Sequence, residues 1–573
     1  MRYQRETGGQ NLYAIDTNAR SRLREIDAEE FKIRDPLLHD FGGWVGETVE
    51  AEAAYTDRHG RPTLGSYDRD GGAVNTISGN PGWDAASREV YQRGVVGLNY
   101  GAAPAPFTTT FAMGYLLSQA DVSLHCPVTM TGAVAYVLDR FAPEPVRERY
   151  LPELIRTDGE ALTGGTWATE LHGGSDVGAT TTTARAEGDG FRLDGLKWFA
   201  SNPLGGLALA TARPDPSIPG ARGLGLYLVP LTLPDGTPNP MRLRRLKDKL
   251  GTCGVPTAEI ELTGTWAVEV APPPLGLRVM MEALGFSRIH NAMASVGLSR
   301  RAFLEAVSYL SHREAFDAHV TGFPMVQQEL IELVVRLEAD FELALVAAMA
   351  FDKGAPSDSS AQIWSRMVTA LAKYQTAENA NVACRAAIEL IGGNAYTYDL
   401  ITPRLLRDAQ VTTVWEGSAN IQALELLRVL GTPYDGFRLF EQRIEAIRAS
   451  APLALGDIAD AVGVAVAECR AAVALMARDG DAARHHARRL MALMAETLAA
   501  ALLLDNATTR LAEDDSRKAI VARLYIEQRL APPAQRGIVD GGHWGCRYFD
   551  PLIGYEPILV AEDRARPLRA ATA

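Results

Sequence analysis

Apolar residues along this chain change their period twice, and that double change restricts the fold more than any other feature. Up to about residue 160 they recur at helical spacing, as over residues 84–93 and 144–154, the second run marked by Pro143 and Pro145. Gly-rich loops at Gly42-Gly43 and Gly71-Gly72 are expected to interrupt this region. Between about 161 and 270 the period shortens to two. Residues 180–186 are rich in Thr, and Glu187-Gly188-Asp189-Gly190 suits a hairpin turn because Gly accepts positive φ. Phe191-Arg192-Leu193-Asp194 then alternates apolar with polar. Runs at 207–211, 224–229, 241–246 and 259–262 continue the pattern, separated by Gly and Pro clusters at 214–223 and 234–240. After Pro272-Pro273-Pro274 the helical period returns and predicts helices over about 287–315, 324–351, 359–391 and 418–430. A further helical block fills 440–510, where Ile458, Val462, Val466, Cys469, Val473 and Met476 form one apolar face.

A chain of 573 residues exceeds what one hydrophobic core holds. The pattern therefore gives an α+β protein in four parts. These are an N-terminal helical domain (1–160), a β-domain of barrel or sandwich type (161–272), a helical-bundle domain (273–435) and a C-terminal helical extension (436–573). The last stretch, from about 531, is rich in Gly, Pro and aromatics. The net charge of −13 gives no general attraction to nucleic acid or an anionic membrane. The five cysteines form no Cys-x-x-Cys pair and no cluster with zinc-site spacing, so neither a disulfide framework nor a metal site is expected. Residues 1–16 lack the apolar core of a signal peptide. The apolar run 490–504 is shorter than a bilayer span, contains Glu496, and reads as a buried helix. A cytoplasmic enzyme with no membrane partner fits these limits.

Three segments can carry chemistry. In Thr166-Trp167-Ala168-Thr169-Glu170-Leu171-His172-Gly173-Gly174-Ser175-Asp176, a Gly pair entering a β-run can bring backbone N–H groups to an anion, though an ordinary turn has the same pattern. Lys197-Trp198-Phe199-Ala200-Ser201-Asn202 closes a strand. There Phe199 and Ser201, two residues apart, share a face on which a flat ring could stack and be bonded at its edge. The third comprises Ile391-Gly392-Gly393-Asn394, Arg404-Leu405-Leu406-Arg407-Asp408 and Val414-Trp415-Glu416-Gly417-Ser418-Ala419-Asn420. A carboxylate such as Glu416 at the rim of an apolar site can act as a base, or it can simply serve a helix start, with Ser418 or a neighbour as the cap.

In order and spacing, the three segments together resemble the acyl-CoA dehydrogenase superfamily. Thr169–Asp176 matches its Thr-Glu-x-x-x-Gly-Ser-Asp pattern, Phe199 and Ser201 its aromatic and hydroxyl pair, and 415–418 its aromatic-Glu-Gly-Ser/Thr. Arg313-Glu314-Ala315-Phe316 is similar to the family's Arg-x-x-Phe, and Gly392-Gly393 and Arg407-Asp408 also fall in place. The likeness covers about residues 75–430. The run Arg245-Leu246-Lys247-Asp248-Lys249-Leu250-Gly251 and the extra helices after 440 resemble the AidB-like branch. Thr166, Phe199, Asp317, Pro324 and Glu389 depart from what many members carry.

The resemblance implies FAD as cofactor, an acyl thioester (in most members a CoA ester) as substrate and a homotetramer, and leaves the electron acceptor open. It places Ala168 and Thr169 at the pyrimidine edge of the flavin, Ser175 near the phosphates, Phe199 beside the ring and Ser201 toward N5. Arg313, Phe316, Gly392, Gly393, Ser418 and Asn420 would hold the ADP part, partly that of a neighbouring subunit. Glu416 would remove the α-proton, with Arg288 near it and the β-hydride going to the flavin. Two other readings stay open. One is a flavin enzyme of the same fold oxidising a nitrogen-containing substrate. The other is a DNA-associated protective protein, for which Arg484-His485-His486-Ala487-Arg488-Arg489 is the basic run to consider.

Overall fold

The computed structural model describes residues 8–354, 359–531 and 544–560. Most of the Gly- and Pro-rich tail expected from 531 lies outside the described residues. The chain forms two compact units, one of residues 38–290 and one of residues 1–37 with 291–573.

In the unit 38–290, helices Glu50–His59, Pro81–Gln92, Phe107–Ser118, Val122–Phe141 and Glu144–Leu154 precede the sheet. Gly42 and Gly43 do not form the expected loop; they lie in helix Ala28–Trp44. Two glycines cost a helix about 1 kcal/mol each, but Phe41, Trp44, Val45 and Val49 are buried around them and hold the chain helical. Gly71-Gly72 does turn the chain, as the tip of a hairpin of β1 (Thr63–Tyr67) and β2 (Ala73–Ser78) that helical spacing did not reveal.

The seven-stranded sheet comprises β3 (Thr163–Trp167), β4 (Thr183–Glu187), β5 (Gly190–Ser201), β6 (Gly206–Ala212), β7 (Gly225–Pro230), β8 (Met241–Leu246) and β9 (Thr257–Ala271). Its order is β3-β6-β7-β9-β5-β4, with β8 also on β9. The 15-residue β9 joins two halves: its start pairs β5 and β8, its end pairs β7. All seven strands send residues into one apolar cluster, including Trp167, Ala184, Leu193, Ala210, Tyr227, Leu243 and Ile260. That shared core matches the expected barrel or sandwich character. Strand β3 escaped the sequence reading because Gly164-Gly165 reads as a turn. A Cβ on Gly164 would come within 2.8 Å of Val134 on helix Val122–Phe141, so glycine there permits helix and strand to touch.

An ion pair lies inside this β-domain. Lys197 Nζ is 2.8 Å from Glu170 Oε1 and donates to the Thr211 carbonyl at 2.8 Å. Glu170 also accepts from the backbone N–H and hydroxyl of Thr181 and of Thr182. Burial alone would raise the Glu170 carboxyl, but the Lys197 ammonium and these donors outweigh it and hold the group at about 2. Burial pulls the Lys197 ammonium down, and Glu170 opposes that.

The other unit is helical. Residues 8–37 pack with helices Pro324–Asp352, Gly480–Leu511 and Arg517–Arg529. Buried charges bind them: Arg22 to Glu342 at 2.6 Å, and Lys518 to both Glu338 and Asn18. The predicted 287–315 helix is observed as Gly276–His312, because Phe316 and Asp317 take positive φ and form a hairpin tip. The helices expected over 324–351 and 359–391 are observed as Pro324–Asp352 and Ser359–Ile391. The apolar run 490–504 lies inside a longer helix. Gly480–Leu511 has 32 residues and is long and apolar enough to cross a bilayer, but 72% of its apolar window is buried inside the structure, so it is a core helix here.

Because the folded Glu170 carboxyl sits below its ordinary value of 4.5, its stabilising contribution is complete above that value and is lost as pH falls from 4.5 toward about 2. Glu170→Gln leaves the buried ammonium uncompensated and is expected to destabilise the β-domain by about 3–5 kcal/mol in urea unfolding. Pairing it with Lys197→Met should recover part of that loss.

Candidate active site

In the β-domain the segments 166–176 and 197–202 are tied together. Trp198 N–H donates to the Thr169 carbonyl at 2.9 Å, and the Glu170–Lys197 pair joins the adjoining residues. Strand β5 bulges here. Lys197 pairs with Ile260 and Ala200 with Ala258, so Trp198 and Phe199 together oppose Glu259. A bulge re-aims side chains: Phe199 is 54% exposed, Ala200 is buried, and Ser201 lies half-buried on the Phe199 side. The shared face expected for Phe199 and Ser201 is therefore present. Lys247 steadies the bulge. Its ammonium lies 3.4 Å from the Trp198 ring centroid, 4.8 Å from that of Phe199 and 2.6 Å from Glu259 Oε1. Ala168 and Thr169 follow β3 and are half-buried, while Ser175 is exposed beyond the Glu170–Gly173 bridge. Arg288 is 6% exposed, so it is not a charge on a helix surface.

In the helical unit, Glu416 stands between helices Thr402–Thr412 and Ala419–Leu430 at φ +58°, a left-handed conformation that side chains rarely adopt. Three side chains hold its loop. Asn291 accepts from Trp415 Nε1 at 2.6 Å and donates to the Thr412 carbonyl at 3.1 Å. Lys373 donates to the Gly417 carbonyl at 2.8 Å. Gln422 donates to the carbonyls of Glu416 and Gly417 at 3.1 and 3.0 Å. Ser418 occupies the cap position of the next helix, but its side chain makes no cap bond. Glu416 lies before that helix rather than in its first turn. Asn420 is exposed in the first turn.

Arg313 and the Gly392-Gly393 turn come together through a residue the sequence did not flag. The Tyr309 hydroxyl receives Arg313 Nη1 at 2.8 Å and Asn394 Nδ2 at 2.8 Å. A Cβ on Gly392 or Gly393 would meet nothing within 4 Å, so the backbone there is open. Phe316 is 92% exposed at the tip of hairpin Glu314–Ala315/Ala318–His319. Asp317, where many family members carry Gly, has φ +61°, and Pro324 is the first residue of helix Pro324–Asp352. In the basic run, Arg484 pairs with Asp481 at 3.3 Å and Arg488 with Glu378 at 2.9 Å, which partly neutralises it.

An exposed aromatic and a hydroxyl on one strand of the β-domain, and a carboxylate in a left-handed loop of the helical unit, are compatible with the flavin-dependent dehydrogenase class that the sequence resembles. The comparisons agree, and the chain belongs to the acyl-CoA dehydrogenase family. Residues 165–265 match the acyl-CoA dehydrogenase middle domain, 275–431 the C-terminal domain, and 4–160 the N-terminal domain of the adaptive response protein AidB. The chain is 32% identical over 411 residues to the putative acyl-CoA dehydrogenase AidB of Escherichia coli, covering 69% of this chain and 74% of that protein. It is 29% identical to acyl-CoA dehydrogenase family member 11 of Caenorhabditis elegans, covering 85% and 83%. The crystal structure of Caenorhabditis elegans ACDH-11 in complex with C11-CoA superposes with a TM-score of 0.86 at 28% identity, over 94% of this chain and 96% of that one. The protein is thus an acyl-CoA dehydrogenase oxidoreductase, a flavoprotein whose cofactor is FAD. Its residues fit that group: a flavin needs a flat apolar face with a donor at its edge, and Phe199 with Ser201 provides both.

The left-handed backbone at Glu416 stores about 1–3 kcal/mol. Glu416→Gly is therefore expected to leave urea unfolding of the helical unit unchanged or stabilise it by up to ~1 kcal/mol. Gly417→Ala, at φ +95° with its Cβ 2.9 Å from Gln422 Nε2, is expected to destabilise it by about 1–3 kcal/mol. A marked loss of stability in Glu416→Gly would show that the loop is not strained.

Proposed function

We propose that the protein catalyses α,β-dehydrogenation of an acyl thioester, with Glu416 as the base that removes the α-proton. The observation that carries this reading is the Glu416 backbone, kept left-handed by Asn291, Lys373 and Gln422. Strained backbone conformations cluster at functional sites, and one held from three sides supports a role for the side chain it carries. An α-C–H is a weak acid, so the developing enolate oxygen needs donors placed in advance, and the Glu416 N–H is the donor this chain would supply. Arg288 would act near the base.

Bound FAD supplies the hydride acceptor. Phe199 would flank its ring, Ser201 would donate toward N5, and Ala168 and Thr169 would meet the pyrimidine edge. Ser175 would lie near the phosphates. Arg313, Phe316, Gly392, Gly393, Ser418 and Asn420 would hold the ADP part, some of them for a neighbouring subunit of a homotetramer. The C11-CoA complex of the Caenorhabditis elegans relative supports a CoA thioester as substrate. A cytoplasmic location belongs to the same proposal.

Anaerobic mixing with a panel of acyl-CoAs tests it. At least one thioester should bleach the flavin of the wild-type protein. Glu416→Gln should retain FAD and bleach at least about 100-fold more slowly, the scale of a lost general base. Bleaching of Glu416→Gln near the wild-type rate would remove Glu416 from the mechanism.

A further inference from the structure

Ser201 does not stand alone at the end of β5. Its hydroxyl lies 2.9 Å from Thr257 Oγ1, the first residue of β9 and its cross-strand partner in the sheet register. Thr257 is 4% exposed and in turn receives Lys249 Nζ at 3.1 Å. The Lys249 ammonium also donates to the Val255 carbonyl at 2.7 Å, which fixes its head from a second side.

The direction of the first of these bonds follows from what each group can do. An ammonium has only protons to give, so the Lys249–Thr257 bond has Thr257 Oγ1 as acceptor. The Thr257 proton cannot point at the ammonium and is available to Ser201 Oγ, so the chain runs toward Ser201 when Thr257 is the donor across the 2.9 Å contact. With that oxygen accepting from Thr257, the Ser201 proton is directed away from Thr257 and off the Phe199 side of the strand. A hydroxyl whose rotor would otherwise be free becomes an oriented donor, and orienting a donor before reaction avoids reorganisation during it.

We propose that Lys249 and Thr257 are positioning residues that set the polarity of a Lys249→Thr257→Ser201 hydrogen-bond chain, so that Ser201 donates toward N5 of the bound flavin. The proposal rests on the reading of Ser201 given above and extends it to two residues that would act through the Ser201 hydroxyl. Their spacing also gives the run Lys249-Leu250-Gly251 a role: it turns the chain so that Lys249 reaches back to the start of β9.

NMR of the holoenzyme reconstituted with N5-isotope-labelled FAD reads the hydrogen bond directly, alongside anaerobic flavin reduction. Ser201→Ala and Thr257→Val should both move the N5 resonance in the direction of a lost donor. Each should slow the limiting reduction rate by about three- to tenfold, the scale of one neutral hydrogen bond, with little change in the half-saturating thioester concentration. The double variant should match Ser201→Ala alone, since both remove one chain. Lys249→Met should give a smaller shift in the same direction. Thr257→Ser, which keeps the hydroxyl, should restore both readouts and separates the relay from a packing defect. An N5 resonance that moves in Ser201→Ala but not in Thr257→Val overturns the relay while leaving the Ser201 reading intact. A resonance that moves in neither overturns both.

Discussion

The buried pair of Glu170 and Lys197 is the contact on which the geometry around the Phe199 bulge depends. Removing two charges from water is costly, and such a pair seldom adds net stability over apolar residues of the same volume. What it adds is position. Lys197 sits on β5 and also bonds the Thr211 carbonyl on β6; Glu170 follows β3 and takes four donors from Thr181 and Thr182 beside β4. One ionic node thus pins four strands at the place where β5 bulges. The bulge turns Phe199 outward, and Lys247, held by Glu259, steadies it. Besides the node, the Trp198–Thr169 backbone bond and the bonds from Asn202 to Thr163 and Gly164 link the segments bearing Thr169 and Ser201.

The helical unit holds Glu416 differently. It stations Glu416 in an unfavourable backbone conformation and offsets the cost with side-chain bonds to neighbouring carbonyls and to Trp415. Two of the three side chains involved, Asn291 and Lys373, come from long helices, and rigid helices locate a loop more sharply than a neighbouring loop could. A third region, the Arg313 hairpin and the Gly392-Gly393 turn, meets at the Tyr309 hydroxyl. Each region relies on a polar side chain that reaches from regular structure into an irregular segment.

Much of this was legible in the sequence, for reasons that differ between elements. The period of two and its Gly and Pro punctuation marked most of the β-domain, and strand Met241–Leu246 coincides with its apolar run. Long helices such as Ser359–Ile391 were evident because many turns of apolar spacing average out exceptions. Gly42-Gly43 misled, since burial of Phe41 and Trp44 overrides glycine's weak helix propensity. Strand Thr163–Trp167 stayed hidden because its glycines serve a close approach by a helix rather than a turn. Glu416, Phe199 and Ser201 drew attention because their segments resemble a family's motifs, whereas the residues that hold those segments did not. Asn291, Lys373, Tyr309 and Thr257 are ordinary residues in ordinary elements, and only the folded geometry brings them to the segments they hold. Lys197 shares its strand with Arg192 and Asp194, so nothing in the sequence marked it as the buried charge.

The central claim is that Glu416 moves a proton at the α-carbon, and that step can be observed without any redox change. An acyl-CoA analogue that binds but cannot lose a β-hydride, incubated with the holoenzyme in deuterated water, reports α-proton exchange by NMR or mass spectrometry. The wild-type protein should load deuterium at the α-carbon, and Glu416→Gln, with equal FAD content and analogue affinity, should not. Equal exchange in the two proteins would contradict the account.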